Sequence, residues 1–448
     1  MNTTVLSLFI SILCITTFLT GCIQEEPEGK KEELTLEEIA TSFMTHLQNN
    51  NYLHAYILFN EEMQEALNQD QFTSLWESYV TTYGQCESIQ DTRQAQVQGY
   101  DVVYMNCSFE KEYFIVFRLV FDSEKHIAGF WQDELISPTS YKAPAYVNQT
   151  AFTEMEVTIG MAPWTLPATF SIPNQTGSFP CVILIHGSGP NDRDETIGPN
   201  KPFKDLAGGL ASQGIAVLRY DKRTLVYADE LASEHENFTV QEEVIDDVLY
   251  SIDFLQLQSY VPIDSIILLG HSLGGMILPQ ILTETVSVDK AIMMAAPARP
   301  LEDLILNQTN YLYQLDGTID ATEQEALDEI EELVQKIKTM TIAENETLLG
   351  MHKPYWAYLH TYDQVETAQT LTIPLLILQG KRDYQVTYEE DYLTWSDTLQ
   401  QETVTLYSYD TLNHLFLSGD GTPTNTEYMT EGHIPEDVIT DIITWINE

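Results

Sequence analysis

The sequence predicts an α/β fold, a doubly wound and mostly parallel sheet, preceded by a small α+β domain. Three observations carry this. From Phe152 onward, short aliphatic runs alternate with amphipathic helical stretches, the order of a parallel sheet with helices on both faces. The runs "PCVILIHG" and "PLLILQG" are apolar at consecutive positions, as strands buried on both faces require. Ahead of them, helical text comes first and period-two text second, which gives a separate small domain over residues 34–138.

In chain order, "VLSLFISILCITTFLTGC" is too short and too sharply ended for a stop-transfer helix, and residues 1–22 read as an export signal. Leu19-Thr20-Gly21-Cys22 has the look of a bacterial lipobox, with Cys22 acylated and becoming the new N-terminus. Met1 to Thr4 carries no Lys or Arg, so plain secretion or an uncleaved anchor stand as alternatives. The expected location is extracytoplasmic, on the cell membrane through a lipid anchor. Residues 23–33 are polar and charged and suit a tether.

Thr35 and Glu38 form an expected capping box, and Leu36, Ile39, Ala40, Phe43, Met44 and Leu47 follow at helical spacing. Helical text continues from Tyr52 to Tyr83. "YDVVYMNCSF", "EYFIVFRLVF" and "HIAGFWQDEL" then read as strands, and Ser137 to Tyr146 as a linker. The larger domain, expected over residues 150–448, opens with a hairpin, "EMEVTIG" and "LPATFSIP". The strands "PCVILIHG", "IAVLRYD", "SIILLGH", "KAIMMAAP", "PLLILQG" and "TVTLYSY" follow with helices between them, and "EDVITDIITWIN" closes the chain. An acidic helical insertion over 300–370 interrupts the alternation and is expected to cap a site.

Composition narrows the partners. There are 68 acidic against 20 basic residues, a formal net charge of −48. That balance excludes nucleic acid and anionic membrane surfaces as partners, so the expected contact with a membrane is through the lipid anchor only. It also disfavours polyanionic substrates. Solubility in a salty environment accounts for it. No partner for the N-terminal domain is legible. Outside the signal and the lipobox, Cys86, Cys107 and Cys181 remain. Export permits a disulfide, and Cys86 with Cys107 is the candidate pair, worth about 3 kcal/mol by loop entropy. Cys181 reads as a buried, inert thiol.

The chemistry centres on Gly270-His271-Ser272-Leu273-Gly274, between an aliphatic run and a helical stretch. Gly-x-Ser-x-Gly in that setting is a nucleophile elbow, and the alternative is a plain tight turn. Composition alone would produce the pattern about 0.05 times in such a chain. A serine nucleophile needs a base, and the base an orienting acid. His414, after the last strand, is the candidate base. Asp383, just past the end of the preceding strand, is the candidate orienter, with Asp410 a rival. His433 is the other late histidine. His271 is expected to turn away from the nucleophile and serve packing or hydrogen bonding. The loop His186-Gly187-Ser188-Gly189 supplies the second half of an oxyanion hole, with the N–H groups of Leu273 and Ser188 as donors. Asp192 and Asp194 lack a His or Cys ligand set and read as acids that lock this loop, with no metal expected.

Together "HGSGPNDRDE", "VLRYDKR", "GHSLGGMI", "GKRDYQVT" and "LNHLFLSG" resemble the α/β-hydrolase superfamily, more narrowly the esterases related to dienelactone hydrolase and to the acyl-thioester hydrolase C-terminal domain. The N-terminal domain resembles the small domain of unknown function fused ahead of such hydrolases, which is cystatin-like or nuclear-transport-factor-like. The resemblance implies Ser272, Asp383 and His414 as a triad, hydrolysis of small-molecule carboxylic esters of short to medium acyl chain, and no cofactor. A prolyl-type serine peptidase and a lipid-anchored, non-catalytic binding protein are the alternative expectations. A coenzyme A thioesterase is disfavoured by export and by the acidic surface.

Overall fold

The computed structural model describes residues 34–97, 100–110, 113–136, 141–228, 230–231, 238–259, 261–344 and 346–448. The expected signal, tether and lipidated Cys22 lie outside the described residues. The chain divides into two compact units between residues 140 and 141.

The first unit begins with helix Leu36–Gln48, held by the expected capping box. Thr35 Oγ1 accepts from the Glu38 N–H at 3.2 Å, and Glu38 Oε2 accepts from the Thr35 N–H at 2.8 Å. The helical text from 52 to 83 breaks into Tyr52–Tyr56, Glu61–Ala66 and Gln69–Tyr83. The breaks have a cause: the side chains of Asn60 and Asn68 accept from backbone N–H groups and cap the second and third pieces. Four antiparallel strands follow, adjacent in chain order: β1 Cys86–Val97, β2 Tyr100–Phe109, β3 Phe114–Phe121 and β4 Ile127–Ile136. β1 leaves no strand signal in the sequence because it is a polar edge strand along which only Cys86 is buried. The core of the unit is aromatic, with Phe43, Phe59, Phe72, Trp76 and Phe117 buried together.

The candidate disulfide is not present: Cys86 and Cys107 are free, buried thiols. In the register of β1 and β2, Cys86 pairs with Phe109 and Cys107 with Ile89. The two cysteines are therefore diagonal neighbours, and their side chains meet as thiols, not as a bridge.

The second unit begins earlier than residue 150, and part of the expected linker belongs to it. Tyr141 donates to Asp205 Oδ1 at 2.8 Å, and Tyr146 donates to the Ile434 carbonyl at 2.8 Å. An antiparallel hairpin, β5 Phe152–Met161 and β6 Trp164–Pro173, leads into β7 Phe179–Ile185, β8 Ala216–Tyr220, β9 Ile263–His271 and β10 Lys290–Met294. An insertion then carries helices Leu301–Tyr313 and Ala321–Lys338, a small hairpin, β11 Thr347–Leu348 with β12 Met351–His352, and helices Lys353–His360 and Gln364–Gln369. β13 Leu375–Gly380 and β14 Val404–Tyr409 complete an eight-stranded sheet of order β14-β13-β10-β9-β7-β8-β6-β5. The six strands from β14 to β8 in that order run parallel.

Both faces are buried, as the unbroken apolar runs require. Along β7, Cys181, Ile183 and Ile185 enter one core, with helices 246–257 and 273–284 and the insertion residues Trp356 and Leu359. Val182 and Leu184 enter the other, with helices 202–212 and 436–447. β7 lies between β8 and β9, so successive strands add on opposite sides of it. That reversal opens a crevice beyond the C-terminal ends of β7 and β9, the place where an open α/β sheet binds its ligand.

Candidate active site

Ser272 occupies the turn between β9 and helix Leu273–Glu284, with φ 52° and ψ −118°. A non-glycine residue there is strained, and such strain collects at functional sites. The bend is held from several sides. The Ser272 N–H donates to the Met294 carbonyl at 2.9 Å. A Cβ on Gly270 would lie 2.4 Å from the Gly274 carbonyl oxygen, and one on Gly274 would lie 2.5 Å from the Ile185 oxygen of β7. Only glycines let helix, elbow and neighbouring strand approach this closely. Ser272 stays partly exposed, and among the described residues its Oγ has no hydrogen-bond partner.

β13 and β14 bring the acid and the histidine to the same end of the sheet. His414 Nδ1 lies 2.7 Å from Asp383 Oδ2, and the Asp383 side chain is fully buried. Gln379 also donates to Oδ2, at 3.2 Å, while the Gln385 and Val386 N–H groups donate to Oδ1 at 2.8 and 2.9 Å. Asp383 is thus fixed by three donors besides His414, for which it stays an acceptor. Nδ1 carries the proton, so the Nε2 lone pair is left to act as a base. Asn413 Oδ1 accepts from the Leu415 and Leu417 N–H groups, each at 3.1 Å, and shapes the His414 loop. The rival Asp410 instead meets Lys381 on the surface at 2.6 Å. His433 has its own acid, Asp205, at 3.0 Å, in a cluster with Tyr141 that ties the C-terminal segment to helix Pro202–Ser212.

His271 turns toward a second acid. Its Nε2 donates to the His414 carbonyl at 2.9 Å, and its Nδ1 lies 3.0 Å from Glu195 Oε2. Glu195 Oε1 accepts from the Gly187 N–H at 2.7 Å. Burial favours the neutral forms of both groups, but the partner's charge outweighs it in each. His271 is held above the usual imidazole range and Glu195 below the usual carboxylate range. One buried ion pair thus ties the elbow, the His414 loop and the loop after β7. His186, beside it, has no charged partner at hydrogen-bond distance. Burial lowers it to about 4, and it stays neutral against the Phe203 and Tyr220 rings.

The loop after β7 is locked by its charged residues. Asp192 accepts from the N–H groups of Asp194 and Thr196. Arg193 grips Asp221 through Nε at 2.9 Å and Nη2 at 2.7 Å. Asp194 pairs with Arg219 and with Lys201. Asp192 is engaged within the loop and Asp194 ties it to Arg219 of β8, and among the described residues no group of three or more His, Cys, Asp or Glu is placed to hold a metal ion. Leu273 is the first residue of its helix, so its N–H has no acceptor within the helix. Ser188 is exposed at the mouth of the crevice. The Gly187 carbonyl accepts from the buried Lys222 Nζ at 2.8 Å. In a trans peptide, C=O and N–H point in opposite directions, so the Ser188 N–H points away from Lys222. Nothing in the sequence alone marks Glu195 or Lys222 beyond the charged runs "NDRDE" and "YDKR", whose side chains close back on the loop.

Fold and site together define an α/β-hydrolase. Residues 182–420 match the hydrolase family described as serine aminopeptidase S33, and residues 40–130 match a family described as a protein of unknown function, DUF3887. Over 411 residues the chain is 36% identical to esterase EstD of Thermotoga maritima, covering 92% of this chain and 95% of that one. The chain belongs to this hydrolase family, and it is a carboxylic ester hydrolase. Among solved structures it resembles the Pyrococcus furiosus esterase PF2001, at 16% identity, TM-score 0.41, and coverage of 69% of this chain and 98% of that chain. It also resembles Est1E of Butyrivibrio proteoclasticus, at 17% identity, TM-score 0.41, and coverage of 65% and 99%.

Proposed function

We propose that the enzyme is an exported serine esterase that works through an acyl-enzyme. The observation that carries this reading is the buried Asp383–His414 contact beside a strained serine elbow. His414 Nε2 takes the Ser272 proton as Oγ attacks the ester carbonyl. The oxyanion is received by the N–H groups of Leu273 and Ser188, each worth about 3 kcal/mol in the transition state. His414 then protonates the leaving alcohol, and the same base activates the water that releases the acid. The substrate is a small neutral ester of short to medium acyl chain, since a surface of net charge −48 disfavours anionic ones. An aminopeptidase would need a free acid to hold the substrate's ammonium. The buried acids around the elbow are instead paired: Asp383 with His414, Glu195 with His271 and Glu243 with Lys222. Cys22, as a lipidated N-terminus, would place the enzyme on the outer face of the cell membrane.

The test is a panel of p-nitrophenyl esters of increasing acyl length beside aminoacyl and prolyl amides. Turnover concentrated on the shorter esters, with the amides inert, is the expected result. Amides hydrolysed faster than every ester would reverse the reading.

A further inference from the structure

A buried hydrogen-bonded chain joins the insertion to the oxyanion loop. Tyr355, on helix Lys353–His360, donates its hydroxyl to Glu243 Oε2 at 2.7 Å. Glu243 Oε1 accepts from Lys222 Nζ at 2.5 Å, and the same Nζ donates to the Gly187 carbonyl at 2.8 Å. All three side chains belong to buried residues. Burial, and then the charge of Glu243, keep the Tyr355 hydroxyl protonated far above the usual range, so it remains a donor. Lys222 is also tied to the loop through its backbone, whose N–H donates to the Asn191 carbonyl at 3.0 Å. A lysine, an acid and a tyrosine buried together are costly unless each satisfies the others. The chain ends on a single peptide carbonyl, that of Gly187, whose plane also carries the Ser188 N–H.

We propose that Tyr355, Glu243 and Lys222 are positioning residues that fix the orientation of the Gly187–Ser188 peptide, so that the seating of the insertion sets one donor of the oxyanion hole. The proposal rests on Ser272 as the nucleophile. If the peptide rotates, the Ser188 N–H leaves the place where negative charge develops, and transition-state binding falls while ground-state binding of a small ester does not.

The experiment measures kcat and KM on p-nitrophenyl acetate, and the Ki of a methyl trifluoromethyl ketone. The Ser272 oxygen adds to the ketone's carbonyl carbon, its proton passes to His414 Nε2, and the carbonyl π pair becomes the oxyanion's lone pair. The variants are Tyr355→Phe, Lys222→Met and both together, with Ser272→Ala alongside and thermal melting as the folding control. Lys222→Met is expected to lower kcat by about 100-fold and Tyr355→Phe by about 5-fold, with KM within about twofold of the parent. Ki should rise by the factor by which kcat/KM falls. The double variant should lose little beyond Lys222→Met, as members of one chain do. If Lys222→Met does not fold, Tyr355→Phe, which loses one oxygen atom, decides the matter. A folded Tyr355→Phe with kcat/KM and Ki both within about 1.5-fold of the parent overturns the proposal. So does a loss that appears in melting temperature or KM and not in Ki. Ser272→Ala that keeps its turnover would instead overturn the nucleophile assignment beneath it.

Discussion

The Asp383 carboxylate lies 2.7 Å from His414 Nδ1, although 31 residues separate the two in the chain. β13 and β14 are parallel neighbours, paired from Leu375↔Val404 to Gly380↔Tyr409, so the loops that follow them emerge side by side. The contact orients the imidazole from a carboxylate that backbone N–H groups already hold.

Asp383→Asn is expected to keep the fold and lower kcat strongly, with a smaller effect than loss of the serine. An amide can donate where the carboxylate accepts, which favours the wrong imidazole tautomer without removing the ring. A pH–rate profile on a short-chain ester checks this. The variant should recover activity at higher pH than the parent or not at all, and an unchanged profile would remove Asp383 from the site.

The Glu195–His271 pair gives stability a defined pH window. Glu195 is held below its usual range, so its contribution is full above about pH 4.3 and is lost as pH falls through the lowered value. His271 is held above its usual range, so its contribution is full below about pH 6.5 and is lost as pH rises through the raised value. Both contributions are complete only between those limits. Glu195→Gln should therefore lower the melting temperature most near pH 6 and least near pH 9. A gap of constant size across that range would show that the pair is not ionised.

The proposed anchor has its own test. Cys22→Ser should move the protein from the membrane fraction to the soluble one. A variant that stays membrane-bound through a carbonate wash would point to an uncleaved helix in place of a lipid.

Most of the catalytic sheet is legible in the sequence because its strands are buried on both faces and leave unbroken aliphatic runs, as Val182 to Ile185 and Leu375 to Leu378 do. Ser272 and Asp383 are legible for a related reason: each follows such a run, while His414 follows the half-buried edge strand β14, and chemistry in this fold gathers at strand ends. What escapes is what depends on neighbours distant in sequence. Glu195 reads as one more acid in a charged loop until the fold brings His271 beside it. Lys222 reads as a surface cation until helix Lys353–His360 and Glu243 close over it. β1 shows no alternation because its residues face solvent on an edge. The Cys86–Cys107 pairing rests on compartment and spacing alone, and in the fold both residues are free thiols.

The central claim is that Ser272, His414 and Asp383 act as one unit. Its most direct test is the turnover of a short-chain p-nitrophenyl ester by Ser272→Ala, with and without His414→Ala, and with circular dichroism to confirm the fold. The account predicts a loss of roughly 10⁴-fold or more for Ser272→Ala, and little further loss when His414→Ala is added. A folded Ser272→Ala enzyme that keeps more than about a tenth of the parent's turnover would contradict it and place the chemistry elsewhere.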